Sequence, residues 1–315
     1  MVPHGAGRSC FIELRIMEDH RKYLKPEVIS RLQPFNLKAR LVVEGFITGL
    51  HKSPYHGFSV EFAEHRQYMP GDDLKHIDWK IYGRTNRHYV KQYEEETNLK
   101  CTLIVDSSAS MKYASPGNIS KFEYASYLAG ALAYLMTKQQ DAVGLATYDS
   151  EVRTYMPPRS RGSFIQEILR TLDNTTPSNE TGTAQALDRL AERISRRGLI
   201  IIISDFFDDT ASILAALKHF RHKKHEVIAF QVLDPRELDF NFGSDAIFKD
   251  LETAEEMTTQ PFQIQQAYIE TMTAFTEELK RECRTRSIDY MLLNTSEPFD
   301  KAMVHYLSRR QRIGG

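Results

Sequence analysis

Asp106, Ser108 and Ser110 occupy alternate positions of Asp106-Ser-Ser-Ala-Ser110, directly after the apolar run Leu103-Ile-Val105. One carboxylate and two hydroxyls from a single tight turn suit a hard divalent cation such as Mg2+ or Mn2+, which favours oxygen donors in near-octahedral geometry and keeps several waters. Ca2+ accepts the same donors in looser geometry. Serine hydroxyls are neutral, so a cation held mainly by them stays under-compensated and attracts a further carboxylate. Such an ion is better suited to holding a partner than to hydrolysing a substrate. The bland alternative for these five residues alone is a serine-rich turn that caps the next helix.

The elements that must position this turn are readable downstream of Lys100, where short apolar runs alternate with amphipathic stretches. Strands are predicted at Cys101–Asp106, Ala142–Tyr148, Val152–Met156, Leu199–Ser204, Val227–Leu233 and Ile288–Leu293. Between them, Phe122, Ala125, Leu128, Ala129, Leu132 and Leu135 fall on one helical face at spacings of three and four. Further helices are predicted at Ser163–Leu172, Ala184–Ser195, Ala211–Phe220, Ile264–Arg286 and Asp300–Arg309, with Gly198 ending the second of these. Alternation of this kind implies an α/β fold: a doubly wound, mostly parallel sheet with helices on both faces.

The first hundred residues are punctuated by proline and glycine, and Phe58–Phe62 and His88–Tyr93 alternate like strands with one wet face. The expected organisation is a leader over 1–23, a smaller β-rich module over 24–98, and the α/β domain over 99–315 with an insertion near 234–262. Met17 is an alternative start to Met1. Pro70-Gly71-Asp72-Asp73 is a turn, and Trp79, the single tryptophan, is expected in the core between the modules.

Composition narrows the function classes. The 315 residues carry 41 Lys plus Arg against 42 Asp plus Glu, which gives no global field for nucleic acid or an anionic membrane. Three scattered cysteines do not make a disulfide framework or a thiolate metal site, and fit a reducing cytoplasm. No stretch approaches the ~20 apolar residues of a membrane span. The basic run Lys218–His225 ends a predicted helix, where positive charge complements the helix dipole, and no nucleic-acid motif accompanies it.

Ligands of open parallel sheets gather outside the carboxyl ends of strands. Two further oxygen donors are expected there: Thr181 in Asn179-Glu-Thr-Gly-Thr183, and Asp205 at the end of Leu199-Ile-Ile-Ile-Ile-Ser-Asp205. The set Asp106, Ser108, Ser110, Thr181 and Asp205 resembles the metal-ion-dependent adhesion site of von Willebrand factor A domains. The resemblance implies that Ser108 and Ser110 ligate the metal, that Thr181 joins according to state, and that Asp106 and Asp205 act directly or through water. An acidic residue of a partner protein would complete the coordination. Thr183 is the alternative threonine, and Asp208 and Asp209 are expected to cap the following helix.

Upstream, Gly57-Phe-Ser-Val-Glu-Phe-Ala-Glu-His-Arg-Gln-Tyr-Met-Pro-Gly-Asp-Asp73, then His76-Ile-Asp-Trp79, Arg84-Thr85, Tyr89-Val-Lys91 and Glu94-Glu95, resemble the domain-of-unknown-function 58 family. The resemblance spans about Leu24 to Leu233. It implies association with a MoxR-type AAA+ ATPase and an adaptor or chaperone-like role. The enzyme alternative is a metal-dependent phosphohydrolase with Asp106 as nucleophile or Asp205 as base. Against it, a serine stands where a haloacid-dehalogenase-type phosphatase has a second aspartate. A structural protein with an empty metal site is the third reading.

Overall fold

A computed structural model of the chain describes residues 62–67, 79–93, 99–178, 182–242, 246–249, 256–259 and 261–313. The proposed leader, the Pro70–Asp73 turn, Thr181 and most of Phe58–Phe62 lie outside the described residues. In the upstream part, β1 (Phe62–Gln67) pairs antiparallel with β2 (Tyr89–Tyr93), and α1 (Trp79–Thr85) lies between them in sequence. Trp79 is not core: its side chain is 61% exposed at the start of α1 and meets Tyr82 edge to face. An indole is amphipathic, and a surface helix with an aromatic neighbour accommodates it without burial.

The remaining strands are β3 (Lys100–Asp106), β4 (Ala142–Tyr148), β5 (Val152–Arg159), β6 (Leu199–Ser204), β7 (Glu226–Leu233), β8 (Ala246–Lys249), β9 (Glu256–Thr259) and β10 (Asp289–Asn294). Six form one sheet in the order β10-β7-β6-β3-β4-β5. All neighbours in it are parallel except β4 and β5, which pair antiparallel at one edge. The helices are α2 (Lys121–Lys138), α3 (Phe164–Asn174), α4 (Thr183–Arg193), α5 (Thr210–His222), α6 (Pro235–Asp239), α7 (Pro261–Thr285) and α8 (Asp300–Ile313).

Strand residues alternate between two cores, which explains why the central runs are apolar throughout rather than every second position. Leu103, Val105, Ile201, Ile203, Ile228 and Phe230 join α2, α3 and α8 on one face. Ile104, Ile200, Ile202, Val227 and Ala229 join α4, α5 and α7 on the other. This is the expected doubly wound α/β architecture of von Willebrand factor A type. The segment between β7 and α7 holds α6 and the β8/β9 antiparallel pair, which the sequence pattern did not disclose.

β5 runs three residues beyond its predicted end, through Pro157 and Pro158. Proline donates no ladder hydrogen bond, and an edge strand tolerates that loss. Two glycines serve close approach between backbones. A Cβ at Gly198 would lie 2.2 Å from the Lys100 carbonyl oxygen. Gly198 therefore seats the turn before β6 against β3 and does not end a helix, since α4 finishes at Arg193 with Ile194 as its cap. A Cβ at Gly144 would meet the Met156 carbonyl oxygen at 2.5 Å and the Pro158 nitrogen at 2.7 Å. Gly144→Ala should push β5 off β4 and cost about 1–3 kcal/mol, read as a lower urea midpoint with an unchanged slope.

Candidate metal site

β3 leads through α2 to β4 on one side of the sheet, whereas β6 leads through α5 to β7 on the other. Their carboxyl ends therefore form the crevice where the winding reverses, the usual ligand position of such sheets. Asp106 ends β3, and Asp205 directly follows β6. Both are fully buried.

The turn after Asp106 folds on its own side chains. Asp106 Oδ1 accepts from the Ser108 amide at 2.9 Å, and the Ser108 and Ser110 hydroxyl oxygens lie 3.1 Å apart. Ser110 Oγ donates to Asp205 Oδ2 at 2.8 Å, which joins the two strand ends. Ser107 points the other way and ties the loop to β4, its amide and hydroxyl both donating to the Tyr148 carbonyl. Behind the site, Asp106 Oδ2 accepts from Ser204 Oγ at 2.6 Å and Tyr148 OH at 3.2 Å. Phe207 N donates to Asp205 Oδ1 at 3.1 Å, so the turn after β6 closes on its own carboxylate. Phe206 in that turn has φ of 57°, an uncommon conformation for a bulky residue, and its amide is held by Ser204 Oγ at 2.9 Å.

Of the five expected ligands, the structure brings together Asp106, Ser108, Ser110 and Asp205; Thr181 is outside the described residues. Its flanks reach the site: Ser178 N donates to the Ser107 carbonyl at 2.9 Å, and Thr183 begins α4. Thr183 is fully buried, and its hydroxyl has no hydrogen-bond partner among the described residues. Asp209 caps α5 as expected, accepting from Ser212 N at 2.8 Å. Asp208 instead accepts from Ala184 N at 3.1 Å and holds the first turn of α4. The basic run is largely engaged internally: His219 with Asp188, Lys223 with the Glu192 carbonyl, and Arg221 with Glu226 and the His225 carbonyl.

Two residues absent from the sequence expectation complete the site. Lys121 is fully buried, and its ammonium donates to Asp205 Oδ2 at 2.8 Å and to Glu237 Oε1 at 2.6 Å. Lys121 is the first residue of α2, after the capping Ser120, where a cation opposes the helix dipole. A lysine both buried and at the unfavourable helix end requires carboxylate partners, and that position was the only available signal. Glu237 sits in α6, where its other oxygen accepts from the Asp234 amide at 2.9 Å within a capping box.

The electrostatics follow from burial. Desolvation, reinforced by the neighbouring Asp205 charge, pushes the Asp106 carboxyl up to about 7. Burial raises Glu237 as well, only partly offset by Lys121. For Lys121, burial favours the neutral form, but Asp205 and Glu237 outweigh it and hold the ammonium above its ordinary value.

The donor set fits a hard divalent cation. Adjacent oxygens at ~2.1 Å from an octahedral ion lie about 3 Å apart, close to the Ser108–Ser110 spacing. Two carboxylates, of Asp205 and Glu237, face the Lys121 ammonium, and the buried Thr183 hydroxyl adds an oxygen beside Tyr148. Among the described residues no group of three or more His, Cys, Asp or Glu side chains is placed to hold a metal ion, so a cation in this crevice would rest mainly on hydroxyls.

Residues 64–278 match the family described as Protein of unknown function DUF58. The uncharacterized protein Rv1480 of Mycobacterium tuberculosis is 27% identical over 293 residues, covering 91% of each chain. The uncharacterized protein MAV169 of Mycobacterium avium is 30% identical over 167 residues, which span 50% of this chain and 95% of that one. Among solved structures, the conserved hypothetical protein BatB from Bacteroides thetaiotaomicron aligns with a TM-score of 0.46 and 17% identity, over 67% of this chain and 98% of its own.

In the unfolded chain Asp106 titrates near the ordinary 3.8. Between that value and about 7, the metal-free folded chain retains a proton that the unfolded chain has lost. Asp106 therefore stabilises the fold less as pH rises through this window. Asp106→Asn should remove that dependence, so wild-type stability measured against the variant should fall from about pH 4 to about pH 7 in urea titrations with EDTA.

Proposed function

The chain belongs to the DUF58 family, and from that premise we propose that it is a protein-interaction module whose divalent cation engages an acidic residue of a partner. The observation that carries this reading is the convergence of Ser108, Ser110 and Asp205 at the sheet's reversal point, with Asp106 directly behind. Ser108 and Ser110 would hold Mg2+ or Mn2+ through their hydroxyls. Asp106 and Asp205 would orient its waters, and a threonine of the 181–183 loop would join them. When bound, the ion supplies a Lewis-acidic position that takes up a carboxylate.

The commitment of Asp106 supports binding over turnover. Both of its oxygens accept hydrogen bonds from groups of the fold, and the carboxylate is fully buried. A nucleophile needs an oxygen facing the substrate, whereas a residue that orients others needs its own orientation fixed. A MoxR-type AAA+ ATPase, or a protein remodelled by one, is the partner class that the family resemblance suggests. No helix among the described residues is long and apolar enough to cross a membrane. Cys101 and Cys283 are both buried, and a cytoplasmic setting is part of the same proposal.

Ser108→Ala/Ser110→Ala should lose Mn2+ binding by at least about 100-fold in calorimetric titration, while the metal-free melting temperature moves by only a few degrees. Metal uptake unchanged in that variant would sink the assignment. Phosphate release from model esters with added Mg2+ would favour the hydrolase instead.

A further inference from the structure

The metal reading leaves Lys121 unexplained, because a buried ammonium beside a cation site repels the cation. Lys121 Nζ and Ser110 Oγ bond the same oxygen, Asp205 Oδ2, each at 2.8 Å. Any ion held by Ser110 would therefore lie within about 8 Å of the ammonium, given metal–oxygen bonds of ~2.1 Å. At that range inside a protein, like charges interact strongly. The lysine is also firmly held. Its Nζ bonds Glu237 at 2.6 Å and lies 4.7 Å from the centre of the Phe207 ring, and its backbone amide donates to the Tyr113 carbonyl.

Glu237 is fixed in turn. One oxygen takes the ammonium and the other takes the Asp234 amide. Asp234 is fully buried and accepts from Ser115 N at 2.9 Å and Ser115 Oγ at 3.0 Å. The start of α6, the loop after β3 and the start of α2 thus share one buried polar network that ends on a carboxylate of the metal site. A role in packing alone would need no charge here, since well-packed apolar residues of similar volume often replace buried ion pairs without loss of stability.

We propose that Lys121, anchored by Glu237, is an internal counter-cation of the metal site: it neutralises Asp205 in the metal-free protein and limits how tightly a divalent ion binds. The inference rests on the metal reading of Asp106, Ser108, Ser110 and Asp205, and it names the regulation of that site. An ion entering the crevice shares Asp205 with the ammonium, so loading stays reversible and weakens the hold of Lys121 on the end of β6. The hold on Glu237 strengthens in compensation. The first turn of the segment between β7 and α7 thereby becomes the element that registers whether the ion is present.

The test is calorimetric titration with MnCl2 at one fixed pH on the full chain and three variants, with circular dichroism and thermal melting to confirm folding. Lys121→Met/Glu237→Gln removes one charge of each sign and guards against unfolding. Nζ bonds Asp205 directly whereas Glu237 lies beyond it, so loss of the ammonium dominates and the double variant should bind Mn2+ at least about tenfold more tightly. Glu237→Gln alone should bind several-fold more weakly, because the ammonium then rests on Asp205 alone. Lys121→Met should melt lower without metal and recover more on adding Mn2+ than the wild type does. Equal or weaker binding by the double variant, with normal binding by the wild type, overturns the counter-cation and leaves the metal site standing. Uptake by the double variant but not by the wild type supports the counter-cation in its strongest form. Uptake by neither overturns both.

Discussion

Parallel pairing of β3 with β6 is the constraint on which the site depends. Their registered residues, from Cys101 opposite Leu199 to Val105 opposite Ile203, are buried on both faces of the sheet. A slip of one residue would exchange the side chains that face the two cores, so the pairing has one register. Asp106 and Asp205 follow at the ends of these runs and inherit that precision. The serine turn contributes donors, but the sheet decides where they stand.

The second requirement is that charge placed at the bottom of a crevice be answered within the fold. Two aspartates and a lysine lie out of reach of bulk water and Glu237 is largely buried beside them, where ionised groups are costly unless paired and hydrogen-bonded. Here the partners are supplied in full: hydroxyls of Ser204 and Tyr148 on Asp106, the Phe207 amide and two donors on Asp205, and two carboxylates on Lys121. Gln231 extends the arrangement by donating to the Asp205 carbonyl at 2.9 Å, and Tyr290 donates to Gln231 in turn. The left-handed Phe206 belongs to the same economy, since its unfavourable backbone lets two amides of one turn reach two different side chains.

Much of this was legible in the residues. Continuous apolar runs such as Leu199–Ile203 and the three-and-four spacing of α2 carry periodicity strong enough to place strands and helices to within a few residues. The carboxylates closing two of those runs could be placed at one sheet edge from topology alone. What the sequence did not disclose was pairing between distant charged residues. The position of Lys121 at the unfavourable end of a helix is a local hint, but it does not name Asp205 and Glu237 as partners, because a lysine beside a helix start reads as surface until tertiary packing encloses it. Trp79 failed in the opposite sense: hydrophobicity argued for burial, whereas its environment is set by neighbours that propensity cannot see. β8 and β9 are only four residues each, too short for an alternating pattern to stand out.

The Ser110–Asp205 contact spans 95 residues of chain. Ribosomes add roughly 5–20 residues per second, so on the order of 5 to 20 s separate the synthesis of the serine turn from that of its acidic counterpart. During that interval the turn has no β6 beside it, and the central sheet cannot close until the long loop has been drawn in. The crevice therefore cannot form before β6 has been made. A nascent fragment that ends before β6 carries the serine turn without the acidic wall that faces it.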